Sequence, residues 1–177
     1  MMAPGIALPV VTMSEAQAYV RIETGEEEAI LAGLIRTASA LCEEFINQVV
    51  IARDFAADVA ASGAWERVPL TPIRSLAGAD AVDLGGITTA LSAADYTVDI
   101  DSSGDGWVRT TGGTGINRIR VSGRAGMADA ENDVPEPIRQ GVLRLVAHLF
   151  TARDGPAGEP PAAVTALWRP YRRMRLS

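Results

Sequence analysis

The segment Asp99-Ile100-Asp101-Ser102-Ser103-Gly104-Asp105 sets oxygen-bearing side chains at alternate positions ahead of a glycine. That is the spacing from which a calcium loop is built. The position where a bidentate Glu would close the loop is Thr110, and no helical pattern flanks the segment. The spacing therefore predicts a polar turn between strands. Thr110-Thr111-Gly112-Gly113-Thr114-Gly115 is glycine-rich but lacks the Gly-Lys-Ser/Thr of a phosphate-binding loop and opens no helix, which leaves a loop tip. Cys42 and His148 are the single cysteine and the single histidine. A nucleophile–base pair needs an orienting acid and an oxyanion site, and a metal needs several ligands; neither set is evident around them. A lone cysteine forms no intrachain disulfide, and Cys42 lies in an apolar helical pattern, where it reads as a small buried hydrophobe. The expectation is a protein that is not an enzyme, with no catalytic, cofactor-binding or metal-binding residues.

The remaining residues of chemical interest are Trp168-Arg169-Pro170-Tyr171-Arg172-Arg173-Met174-Arg175-Leu176-Ser177. Four arginines stand there without an acid, while the whole chain carries −6, so residues 1–168 sum to −10. Pro160, Pro161 and Pro170 argue against a long regular helix. Residues 155–177 are thus expected to be a linker followed by an extended basic tail that docks on a partner. Trp, Tyr and Arg are enriched at interface hot spots, and a tail that orders on binding can wrap a surface. The candidate docking residues are Leu167, Trp168, Arg169, Tyr171, Arg172, Arg173, Arg175 and Leu176. The bland alternative is a frayed end, for which Trp168, Tyr171 and Leu176 are poor choices.

Every basic residue is Arg. Biased coding DNA explains this as simply as a preference for bidentate, stackable cations. A pI near 4.8 argues against a general nucleic-acid binder, which needs a basic face. The apolar start MMAPGIALPVVT lacks the pattern of a signal peptide, and no stretch is long and apolar enough to span a bilayer. Synthesis in the bacterial cytoplasm and no membrane partner are expected.

The elements that would position these residues follow from periodicity. Residues 3–13, with Pro4 and Pro9, read as an extended arm. Ser14 is expected to cap a short helix over about 15–21, with Gln17 completing a capping box. Glu26, Glu27 and Glu28 open a helix over about 26–47, since negative charge suits the positive end of the helix dipole. Its apolar residues run Ile30, Leu31, Leu34, Ile35, Ala38, Leu41, Cys42, Phe45 and Ile46 at a period of 3.6. A β-rich insertion over about 49–124 follows. Its predicted strands are at Val49–Ile51 with Phe55–Ala57, at Ala79–Leu84 and Ile87–Leu91 around Gly85-Gly86, at Tyr96–Val98, at Trp107–Arg109, and at Arg118–Ser122, where charge alternates with apolar side chains. Val68–Ile73 reads as a rigid connector. Pro135-Glu136-Pro137 opens a third helix over about 136–152. The fold class is α+β: a small helical bundle with an antiparallel, hairpin-rich middle, residues 1–154 forming one domain.

The order of these features resembles the head–tail connector (adaptor) family of long-tailed bacteriophages, prophages and gene transfer agents. The residues that carry the resemblance are the extended start, Ser14-Glu15-Ala16, the acidic amphipathic helix, Val134-Pro135-Glu136-Pro137-Ile138-Arg139-Gln140 with its helix, and Leu167-Trp168-Arg169-Pro170-Tyr171-Arg172. The resemblance covers about Val10 to Leu176. It implies a structural subunit of a homo-oligomeric ring, usually a dodecamer, seated in the particle neck beneath the portal protein. Such a ring extends the DNA channel, passes DNA without sequence specificity and offers a platform to stopper or tail-completion proteins. The alternatives are a stopper or tail-completion protein of the same neck, or a small nucleic-acid-binding regulator using the arginine tail.

Overall fold

The computed structural model describes residues 6–22, 27–111, 117–152 and 160–174. The fold is α+β, in two compact units, one made of Ile6–Ile51 with the segments after Met127 and the other of Ala52–Gly126.

In the first unit the described helices are α1 (Met13–Val20), α2 (Glu28–Ile46), α3 (Glu136–Thr151) and α4 (Ala162–Trp168). α1 begins earlier than Ser14 would dictate. Thr12 is the N-cap, and Glu15, three residues on, completes the box by accepting from the Thr12 amide and hydroxyl. An oxygen-bearing side chain two residues ahead of Ser14, with a carboxylate at the right offset, wins the cap. Burial raises the Glu15 carboxyl, but the Thr12 hydrogen bonds and the neighbouring Arg139 outweigh it and hold it below the ordinary value. α2 buries Leu31, Ile35, Ala38, Ser39, Cys42 and Ile46, the stripe its periodicity requires. Its one buried hydroxyl, Ser39, accepts from the Val10 amide at 3.1 Å, which ties the extended arm to the helix. α3 opens with proline in its first turn and buries Ile138, Gly141, Val142, Leu143, Leu145 and Val146.

Of Val49–Ile51, expected as strand, Val50 and Ile51 pack in this helical core and Val49 is buried beside them in sequence. The Val50 amide donates to the Glu43 carboxylate at 2.8 Å, and its carbonyl accepts from Ala128. The run is β-branched and buried, but it meets only an isolated bridge, Ile51 to Ala128, in place of a strand.

The second unit holds two antiparallel sheets. β1 (Arg53–Ala60), β7 (Arg118–Ala125), β3 (Ile73–Val82) and β4 (Thr88–Ala90) form one in that order. β2 (Glu66–Arg67), β6 (Gly106–Thr110) and β5 (Tyr96–Ile100) form the other. β7 runs between β1 and β3. Its alternation places Ile119 and Val121 inside with no exposed surface and Arg118, Arg120 and Arg124 outside. Arg120 binds Asp58 through two hydrogen bonds, at 2.7 and 3.2 Å. Those bonds, with the charges of Arg120 and Arg118, hold the Asp58 carboxyl below its ordinary value against the effect of burial.

Candidate functional site

The sequence pointed to the arginine-aromatic segment, and the structure changes what that segment is. Residues 162–168, expected as linker and tail, form α4, and Val164 and Trp168 enter the core of the helical unit. Pro161 occupies the N-cap of α4, and Pro170 lies in the first turn of a 3-10 segment, Arg169–Tyr171. The prolines bound a short helix, Ala162–Trp168, in a stretch expected to be extended, and no long one forms.

Trp168 has no exposed surface. Its indole Nε1 donates to the Ile138 carbonyl at 3.2 Å, and its ring meets Phe45 at 5.8 Å between centroids. The ring lies directly against Gly141 of α3. A Cβ at that position would stand 2.8 Å from indole Cδ1 and Cε2. Trp168 is thus removed from the docking set: an indole buried against a helix backbone offers a partner nothing. Leu167 and Tyr171 are half-buried against the same core.

Beyond Tyr171 the chain runs along the C-terminal end of α2. Gln48 Nε2 donates to the Tyr171 carbonyl at 2.6 Å, and Asn47 Nδ2 to the Arg173 carbonyl at 3.3 Å. The Arg173 amide donates to Ile46 O at 2.9 Å, which satisfies a carbonyl that a helix end leaves open. The Arg172 guanidinium sits over the Phe45 ring, 5.4 Å from its centroid. The result is a strap, residues 169–174, held at one edge and presenting Arg169, Arg172 and Met174 to solvent, with Arg173 half-exposed. Arg175 and Leu176 lie outside the described residues. Met174, 82% exposed, was not among the sequence candidates; its place between two arginines in an Arg-Met-Arg-Leu alternation is the signal for it. The residues that hold the strap, Phe45, Asn47, Gln48 and Gly141, were also missed. Only Gly141 left a trace, as a glycine inside a helical pattern, where it costs stability unless something packs on it.

The other sequence candidates are placed as follows. Asp101 lies in the turn between β5 and β6. Its carboxylate accepts from the Ser103 amide, the Asp105 amide and the Trp107 indole, while Asp105 pairs with Arg67 at 2.7 Å. Those oxygens serve the hairpin. Among the described residues no group of three or more His, Cys, Asp or Glu is arranged to hold a metal ion. Gly112, Gly113, Thr114 and Gly115 lie outside the described residues. Cys42 is fully buried, and burial, with a smaller contribution from Glu43, pushes its thiol far above the ordinary range. His148 is exposed on α3. No helix among the described residues is long and apolar enough to cross a membrane.

No protein-family model matches the chain, and no curated protein matches it in sequence. Solved structures do. A chain in the "Neck of empty GTA particle computed with C6 symmetry" superposes with a TM-score of 0.75 at 25% identity, over 100% of this chain and 98% of that one. The fold is that of a gene transfer agent neck protein. Two further structures share this neck-protein fold. One is the "Virion of native gene transfer agent (GTA) particle", with a TM-score of 0.76 at 23% identity over 100% and 98% of the two chains. The other is the "Neck of native GTA particle computed with C12 symmetry", with 0.71 at 23% over 100% and 94%. The neck-protein fold extends over the arm, both units and the strap, so the resemblance to the head–tail connector family holds for the whole chain.

Proposed function

We propose that this chain is a structural subunit of a ring in the neck of a phage-like particle, a head–tail connector of the adaptor type. The observation that carries the reading is the whole-chain likeness, at 25% identity, to a chain in a gene transfer agent neck. The C6 and C12 symmetries of those necks support a closed ring, and twelve copies fit both. A ring subunit needs two different complementary faces and no catalytic centre. In this reading the ring extends the DNA channel, contacts DNA without reading its sequence, and carries stopper or tail-completion proteins on its tail side.

The strap docks on the portal protein. Arg169, Arg172 and Arg173 supply charge-assisted hydrogen bonds to carboxylates, Met174 supplies an adaptable apolar contact, and Arg175 and Leu176 continue the series. Trp168 acts from inside: it fixes where the strap leaves the body, which limits the entropy lost on docking. The test is an Arg169→Glu, Arg172→Glu, Arg173→Glu variant, which leaves the core residues in place. The expected result is a protein with wild-type circular dichroism that no longer co-sediments with portal rings. A variant that still decorates portals refutes strap docking, and electron microscopy of the particle neck that finds this chain elsewhere refutes the connector role.

A further inference from the structure

β5 is an edge strand: β6 is hydrogen-bonded to one side of it, and among the described residues no strand is hydrogen-bonded to the other. The hydrogen bonds flanking the β5–β6 ladder fix which backbone groups are used. Thr111 N donates to Asp95 O at 2.8 Å and Asp101 N to Asp105 O at 3.0 Å, with Tyr96 opposite Thr110 and Ile100 opposite Gly106 between them. In an antiparallel ladder hydrogen-bonded pairs alternate with non-bonded ones. Thr97 and Asp99 therefore face their amides and carbonyls toward β6, while Tyr96, Val98 and Ile100 face theirs outward. No hydrogen bond to another described residue occupies the outward groups of Val98 or Ile100.

The side chains repeat this asymmetry. Val98 lies opposite Val108, which has no exposed surface, and Ile100 opposite the buried Gly106. Val98 and Ile100 are thus on the core-facing side of the sheet, yet each remains 38% exposed. Asp99 projects from the other face. Proteins protect edges with bulges, prolines or inward charges; β5 has none of these, and its single charge points away from the apolar row. On the Asp99 face the sheet and its turn carry Asp95, Asp99, Asp101 and Asp105 against Arg67, which pairs with Asp105, and Arg109, which lies opposite Thr97, so the balance there is negative.

We infer that the free edge of β5 accepts an extended segment of a partner protein, antiparallel or parallel, in which apolar residues alternate with Arg or Lys. The partner's backbone pairs with Tyr96, Val98 and Ile100. Its apolar side chains cover Val98 and Ile100 and extend the core of the strand unit. Its basic side chains fall on the opposite face beside Asp99, where the net negative balance favours them. Backbone pairing supplies affinity and the alternation supplies selectivity. The inference draws on nothing in the strap and survives if the strap binds something other than a portal.

The test uses the full chain and two blocked hexapeptides, one alternating Arg with Val and one alternating Glu with Val, followed by amide hydrogen exchange. In the free protein the amides of Tyr96, Val98 and Ile100 exchange fast, and those of Thr97 and Asp99 slowly. With the basic peptide at about ten times its Kd, the first three slow about tenfold; the acidic peptide leaves them unchanged. Val98→Pro removes an amide that points to solvent, a substitution an edge strand tolerates, and abolishes the protection while the Thr97 and Asp99 amides stay slow. The inference is overturned by slow exchange of Val98 and Ile100 in the free protein. It is equally overturned by no effect of the basic peptide at about 1 mM, or by equal protection from the acidic one. Protection that grows with protein concentration and no peptide overturns it in favour of a second copy as occupant.

Discussion

Gly33 and Gly141 both lie inside helices, and replacing each with alanine should move stability in opposite directions. From sequence alone both changes stabilise, because glycine costs a helix interior about 0.8–1 kcal/mol relative to alanine. At Gly33 the added Cβ meets nothing nearer than the Arg36 guanidinium at 4.0 Å, so Gly33→Ala keeps that gain. At Gly141 the Cβ falls against the Trp168 indole, 2.8 Å from Cδ1 and Cε2 and nearer still to Nε1. Overpacking of this kind costs about 1–3 kcal/mol. Moving the indole also breaks its 3.2 Å bond to Ile138 O, and a buried N–H left without a partner costs about 1–3 kcal/mol more. Set against the helix gain, Gly141→Ala is expected to lose about 1–5 kcal/mol. Urea unfolding followed at 222 nm reads the helical unit and gives both signs in one assay. Amide exchange over 162–174 should rise in Gly141→Ala and stay unchanged in Gly33→Ala. A Gly141→Ala variant as stable as wild type, with a quiet strap, would refute the seating of Trp168 on α3.

Two further predictions concern the core and the acid limb. Removing residues 164–177 takes Val164 and Trp168 out of the core; losing a buried tryptophan alone costs about 3–5 kcal/mol, a large share of the stability of an ordinary domain. The truncated chain should melt far below wild type by circular dichroism, whereas the triple Arg→Glu strap variant should not, and equal melting would contradict the placement of α4. The Asp58 carboxyl is held low by its hydrogen bonds from Arg120. Its contribution to stability is therefore complete above the ordinary Asp range near pH ~4 and is lost as pH falls through the lower folded value. Asp58→Asn should lower the stability of the strand unit at neutral pH and flatten its decline in acid; thermal unfolding scanned against pH checks this, and an unchanged acid slope counts against it.

Much of the architecture was legible because it rests on local regularities. The 3.6-residue stripes of α2 and α3 and the pairing of Tyr96–Val98 with Trp107–Arg109 each need only neighbours in sequence to make sense, as does the half-buried alternation of β7. The start of α1 was misplaced by two residues because Thr12 and Ser14 are both capable caps, and the position of the Glu15 carboxylate decides between them. Val49–Ile51 was misread because β-branched residues suit any buried extended backbone, including one that lines a helical core.

By itself the sequence determined the chemistry of the molecule: an acidic body, arginine as its only strong cation, single Cys and His residues, and a run of Trp, Tyr and Arg suited to an interface. It also determined the helix–strand–helix order on which the family resemblance rests. Only the tertiary structure decided which members of that run face outward. Trp168 goes inside because Gly141, on another helix, leaves room for an indole and Ile138 supplies its acceptor. Residues 171–173 run along α2 because Asn47, Gln48 and Ile46 meet their backbone. The open edge of β5 was equally invisible, since a strand's pattern reports its faces and not which of its two sides lacks a neighbour. These are contacts between residues distant in sequence, and local pattern carries no information about which distant groups meet.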